Sequence, residues 1–211
     1  TYGIEATLLP APYALGDVAD QQVIPQIEQW AADGYYLVVS RLLPYKNVQH
    51  VIDAFCSGPG LRDRLVVVGS GPMKAALERR AGPNVRLLSE LTDGQMRWVY
   101  AHCRAVIAPS YEDYGLSPLE AAAFGKPTLA LGAGGYLDTV APGVSGTFFT
   151  APTASIIRAA VQANASAQWD PDAIRAHVER FGEDHFRAAL HRAAVDHGGE
   201  QAGIGDGEQR R

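Results

Sequence analysis

Runs of consecutive apolar residues alternate with segments of helical period along most of this chain. The runs are 35–40 (YYLVVS), 64–69 (RLVVVG), 85–89 (VRLLS), 105–110 (AVIAPS) and 127–131 (PTLAL), with a weaker sixth at 146–149 (GTFF). They are apolar on successive residues rather than on alternate ones, as strands covered on both faces are. Between them, 48–55, 73–81, 95–102 and 118–124 carry apolar residues at helical spacing. Pro72 and Pro118 suit first-turn positions, where a missing N–H does no harm. This alternation predicts an α/β fold, a doubly wound parallel sheet of Rossmann type with helices on both faces. Ligands of such sheets sit at the carboxyl ends of the strands. After the sheet, 155–163, 172–181 and 184–195 read as three further helices, the second opened by Asp170-Pro171, and 198–211 as a Gly-rich, polar, flexible tail.

Composition narrows the function classes. A length of 211 residues fits one large domain, and 47% hydrophobic content provides a core. A net charge of −5 argues against nucleic acid as a partner, because that needs a basic face to neutralise phosphates. Two cysteines, Cys56 and Cys103, without a CxxC, point away from a disulfide framework or a zinc site and towards a reducing cytoplasm. No stretch reaches the roughly 20 apolar residues of a membrane-spanning helix. The opening residues lack a starting Met and the pattern of a signal peptide, and read as a piece of a longer protein.

The strand ends carry the candidate chemistry. The first leads into Ser40-Arg41-Leu42-Leu43-Pro44-Tyr45-Lys46-Asn47, where two cations five apart either clamp a diphosphate or are solvated. The second leads into Gly69-Ser70-Gly71-Pro72, which suits a tight turn better than a phosphate cradle, since the third glycine of the dinucleotide fingerprint is absent. The fourth enters the densest segment, 109–125 (PSYEDYGLSPLEAAAFG). There Ser117-Pro118-Leu119-Glu120 has the form of a capping box, with Ser117 as N-cap. Glu112 and Asp113 read equally as solvated loop acids. The same helix start leaves amides near Gly115–Ser117 ready for an anion, and carboxylates beside it suit sugar and ribose hydroxyls. Glu120 can serve as both cap and ligand. Gly132-Ala133-Gly134-Gly135, after the fifth strand, is explained by loop closure and packing.

Together these segments resemble the C-terminal domain of the group-1 family of retaining glycosyltransferases, which have the two-domain GT-B fold. The resemblance rests on SRLLPYKN at 40–47, VVVGSGP at 66–72, Glu112 and Glu120 eight apart, FGKPTLAL at 124–131 and SGTFF at 145–149, in family order from about Tyr35 to Phe149. It implies three parts: 1–30, the end of an N-terminal domain and linker; 31–197, the nucleotide-sugar-binding domain with its closing helices; and 198–211, the tail. It implies that Arg41 and Lys46 hold the donor diphosphate, that Glu112 contacts the transferred sugar, and that Glu120 contacts the ribose. Gly115, Leu116 and Ser117 would touch phosphate and sugar, with Gly71 a further substrate contact and Leu91 near the base.

The implied chemistry needs no metal or other cofactor, because Arg, Lys and a helix N-terminus can stabilise a leaving diphosphate. The implied donor is GDP-mannose first, on the wording of 112–127 and 40–47, with a UDP-sugar as the alternative. The implied partner is an N-terminal domain carrying the acceptor site, so that this chain alone binds donor and transfers nothing. A polysaccharide or lipid-linked glycan is the family's acceptor type, in the cytoplasm and up to the inner face of the membrane. Two other readings stand beside it. One is a GT-B epimerase or phosphorylase, the latter lacking an evident pyridoxal-phosphate lysine. The other is a non-catalytic nucleotide-binding domain, against which the intact Arg41, Lys46, Glu112 and Glu120 speak.

Overall fold

A computed structural model describes residues 9–13, 18–57 and 61–201, the side chains of 195–201 excepted. The described residues between 18 and 178 form one compact unit. Its six strands are β1 (Tyr35–Val39), β2 (Leu65–Val68), β3 (Val85–Leu88), β4 (Cys103–Ala108), β5 (Thr128–Leu131) and β6 (Gly146–Phe149). All pair in parallel, in the order β3-β2-β1-β4-β5-β6. This is the doubly wound order, in which the direction of winding reverses between β1 and β4. All six apolar runs are strands, each within two residues of its expected ends.

The helices are α1 (Val48–Cys56), α2 (Lys74–Arg80), α3 (Asp93–His102), α4 (Leu116–Ala123), a short α5 (Tyr136–Thr139), α6 (Ala154–Ala165), α7 (Pro171–Glu179) and α8 (Glu183–Gln201). Alternate residues of β1 supply both faces of the sheet. Tyr36 and Val38 join Ile52, Phe55, Leu77 and Val161 in one core layer. Tyr35 and Leu37 join Trp30, Trp98, Val99 and Tyr100 in the other. Full burial of each such side chain contributes roughly 1.5–3 kcal/mol, so both layers are needed to offset the chain entropy. That double coverage is why the runs show no alternation.

Helix boundaries differ where side chains set them. Helix α3 starts two residues before its apolar period, because Thr92 caps it and Gln95 reaches back to the Thr92 amide. Pro72 lies in the turn before α2 rather than at its first position, since Met73 N–H donates to Leu42 C=O instead.

Among the described residues, 9–13 and 179–201 form a second unit. Its helix α8 runs past Val195, through Gly198 and Gly199, to Gln201. The flexible tail expected from Gly198 therefore overlaps helix: interior glycine costs a helix only about 1 kcal/mol, which is a penalty and not a stop. The rest of that expected tail, 202–211, and residues 1–8 and 14–17 of the expected linker lie outside the described residues. Among the described residues no helix is long and apolar enough to cross a membrane.

Candidate functional site

Where the winding reverses, the carboxyl ends of β1 and β4 open on a cleft of about 380 Å³. The loop after β1 brings Arg41 and Lys46, the loop after β4 brings Glu112, and α4 with the residue before it brings Gly115, Leu116, Ser117 and Glu120. All seven line the cleft.

The β1 loop turns Lys46 inward. Pro44 opens a 3-10 turn, Pro44–Lys46, and Asn47 leaves it in the left-handed region at φ 58°. Asparagine tolerates that region, and its side chain donates to Pro109 C=O at 3.0 Å, tying this loop to the end of β4. Lys46 is 6% exposed and its ammonium is paired with Glu112 Oε1. A buried ammonium is tolerated here because a carboxylate neutralises it. The ring of Tyr45 lies 4.9 Å from Lys46 Nζ, and its hydroxyl accepts from Arg41 Nη2 at 3.2 Å. Arg41 itself stays exposed. Of the two cations, only Arg41 is the solvated residue that one reading of the sequence allowed.

Glu112 is equally far from a solvated loop acid. Ser110 Oγ donates to its Oε1, and the Tyr136 hydroxyl lies 3.3 Å from Ser110 Oγ. Since the serine proton is committed to the carboxylate, Tyr136 is the donor to Ser110. Burial raises the Tyr136 phenol, more than the hydrogen bond with Ser110 lowers it, and the Glu112 charge adds to the rise, so its proton stays in place. Gly135 N–H donates to the Glu112 carbonyl at 2.7 Å. The glycine turn after β5 is thus packed against the loop that carries the acid.

The capping box expected at Ser117 does not form. Helix α4 begins earlier, at Leu116, with Gly115 as its N-cap in the left-handed region at φ 91°. Ser117 lies inside the first turn, and Glu120 accepts from the Tyr100 hydroxyl at 2.5 Å instead of reaching back. A Cβ on Gly115 would meet Tyr136 Cδ1 at 2.6 Å, so ring contact and backbone angle both demand glycine there. The early start puts Leu116 and Ser117, first-turn residues whose amides have no intrahelical acceptor, in the lining of the cleft. Half-buried Glu120 has its carboxyl raised by burial, an effect the Tyr100 hydrogen bond partly offsets.

Gly71 and Leu91 are not brought into this cleft. A Cβ on Gly71 would sit 2.6 Å from Leu42 C=O, so close packing against the chain leaving β1 explains the glycine. Leu91 packs at the edge of the core layer that holds Trp98. The residues that sequence reasoning passed over are Asn47, Tyr100, Ser110 and Tyr136, each bonded to the cleft's loops or acids.

Chemically, the cleft sets two cations and a positive helix end against three carboxylates, those of Glu112, Asp113 and Glu120. The first group suits a compact polyanion, the second suits hydroxyl donors. Among the described residues no three His, Cys, Asp or Glu side chains converge as a metal ion would require.

Comparison with known proteins points the same way. Residues 20–184 match the family model for glycosyl transferases group 1. Among curated proteins, the chain is 29% identical over 142 residues to an α-1,3/1,6-mannosyltransferase, ALG2, of Dictyostelium discoideum, covering 53% of this chain and 33% of that protein. It is 36% identical over 128 residues to a glycogen synthase of Pseudomonas aeruginosa, covering 56% of this chain and 24% of the other. Among solved structures, Anabaena HepE in complex with UDP and glucose superposes with a TM-score of 0.68 at 21% identity, over 85% of this chain and 54% of that one. The matches thus span a quarter to a third of the two curated relatives and about half of the structural one.

Proposed function

This chain belongs to the group 1 glycosyl transferases, and on that premise we propose that residues 31–197 are the donor-binding domain of a retaining enzyme. It takes a sugar from a nucleoside diphosphate and passes it to a glycan or lipid-linked acceptor. The observation that carries this reading is the convergence of Arg41, Lys46, Glu112, Glu120 and the first turn of α4 on one cleft at the reversal of the sheet.

Each group has a role that its chemistry suits. Arg41 and Lys46 hold the diphosphate, and with the α4 amides they stabilise the charge that builds on it as the glycosidic bond breaks. This needs no metal ion. Glu112 accepts from hydroxyls of the transferred sugar, and its bond to Lys46 couples sugar to diphosphate. Glu120 accepts from the ribose. The two glutamates are not the acid and nucleophile of a glycosidase, which must flank the scissile bond.

GDP-mannose is the first donor to test, on the wording of 112–127 and 40–47 and on the relative that is named a mannosyltransferase. UDP-glucose is the second, supported by the neighbour solved with UDP and glucose. The acceptor site and part of the catalytic apparatus belong to an N-terminal domain, so this chain alone binds donor without transferring sugar. The test is an amide-shift titration of the isotope-labelled chain with GDP-mannose and with UDP-glucose. Shifts centred on Gly115, Leu116 and Ser117 are expected. Shifts confined to the opposite end of the sheet, around Asp33 and Arg104, would reject the assignment.

A further inference from the structure

We propose that Tyr100 is a positioning residue for Glu120: it holds the carboxylate in the one orientation from which its second oxygen accepts from a ribose diol. This rests on the ribose reading of Glu120 given above.

Tyr100 lies near the end of α3 with no exposed surface. It touches Glu120 within α4 and Phe124, the residue that caps the helix's end, one turn apart. Its ring stacks on Phe124, with centroids 5.9 Å apart and planes 12° from parallel. Its hydroxyl donates to Glu120 Oε2 at 2.5 Å. Residues 120 and 124 share a helix face. The ring contact therefore fixes where the hydroxyl sits, and the hydroxyl fixes the acid.

A free glutamate distributes over several rotamers, and a ligand must pay for ordering it. With Oε2 held by Tyr100, that cost is met before the ligand arrives, and Oε1 is left to accept. The direction of the bond is also settled. Burial, reinforced by the Glu120 charge, pushes the Tyr100 phenol well above its ordinary value, so the tyrosine keeps its proton and donates. A buried tyrosine hydroxyl needs an acceptor in any protein. The competing explanation is that Glu120 merely satisfies Tyr100, and the two differ in what Tyr100→Phe does to ligand selectivity.

The experiment is calorimetric titration of the full chain with GDP, UDP and ADP, then with the 2′,3′-dideoxy form of whichever binds most tightly. Wild type, Tyr100→Phe, Glu120→Ala and the double variant are compared, with thermal melting of each. Wild type is expected to favour the ribose form. Tyr100→Phe keeps the ring on Phe124 and loses only the donor; it should bind the ribose form roughly tenfold more weakly, the size expected for one bond to a charged group. Its affinity for the dideoxy form should stay within about twofold, and in the Glu120→Ala background the same change should add nothing. Unchanged ribose selectivity in Tyr100→Phe, or equal loss of both forms, would overturn the inference while leaving the ribose reading in place. No ribose selectivity in wild type, or no binding of any diphosphate, would remove that reading and the inference with it.

Discussion

Lys46, on the loop after β1, is ion-paired with Glu112, on the loop after β4, across the reversal of the sheet. The pair is 92% and 75% shielded at its two side chains. Each residue therefore conditions the other, and the same ammonium is the one assigned to a ligand's diphosphate.

Replacing Lys46 with Ala leaves Glu112 without its cation. Because Ser110 still donates to Glu112, the loss of stability should be about 1–3 kcal/mol, below the roughly 3–5 kcal/mol of a fully buried orphaned charge. Binding of a nucleoside diphosphate should weaken at least tenfold, on the order of the value of a charge-assisted contact. Melting and calorimetry check both.

Glu112→Gln separates sugar from diphosphate. It removes a negative charge beside the diphosphate position and frees Lys46, so a free nucleoside diphosphate should bind as tightly as to wild type or more tightly. The added affinity that a nucleotide sugar shows over its free diphosphate should disappear. Titration with GDP and GDP-mannose, or UDP and UDP-glucose, reads the difference. An undiminished sugar increment would take Glu112 out of the sugar site.

Glu120 should work against the fold at neutral pH. Burial holds its carboxyl above the ordinary value, so the folded chain binds its proton more tightly than the unfolded chain does. Its contribution to stability is then complete at acid pH, below the unfolded value, and is lost as pH rises through the folded value. Glu120→Gln, which can still accept from Tyr100, should melt at or above wild type at pH 7. The gap should close towards pH ~4, where wild type is protonated as well. Ligand affinity should fall in the same variant, a trade of stability for function.

Gly115→Ala should be costly beyond its helix propensity. The left-handed backbone angle disfavours any Cβ, and this one would strike the Tyr136 ring. A loss of about 1–3 kcal/mol is expected from the two effects, measured by denaturant unfolding. Gly143→Ala, also at positive φ but with nothing within 4 Å, should cost less.

Much of this was legible in the sequence for one reason: strands buried on both faces write their burial into consecutive residues. Tyr35 to Val39 and Leu65 to Val68 needed no further information. Arg41, Lys46, Glu112 and Glu120 were legible as residue types, and the winding rule alone located them at the carboxyl ends of the strands. What they bond to was not. The capping box at Ser117 is a sound local rule, but Glu120 is taken by a tyrosine 20 residues before it, Tyr100, which local spacing does not reveal. Gly71 read from its own residues as a turn glycine and as a substrate contact only through the resemblance; the neighbour that leaves no room for a Cβ, Leu42, was not visible in the sequence. Tyr136 followed a glycine pair that had its own sufficient explanation, and its bond to Ser110 exists only once β4 and β5 lie side by side.

The most direct test of the central claim is calorimetric titration of the chain, in EDTA, with GDP, UDP and ADP and with the matching monophosphates. The account expects one diphosphate to bind saturably without metal and more tightly than its monophosphate, with the preference reduced by Arg41→Ala and by Lys46→Ala in folded protein. Equal affinity for mono- and diphosphate, or a diphosphate preference untouched in both variants, would contradict it.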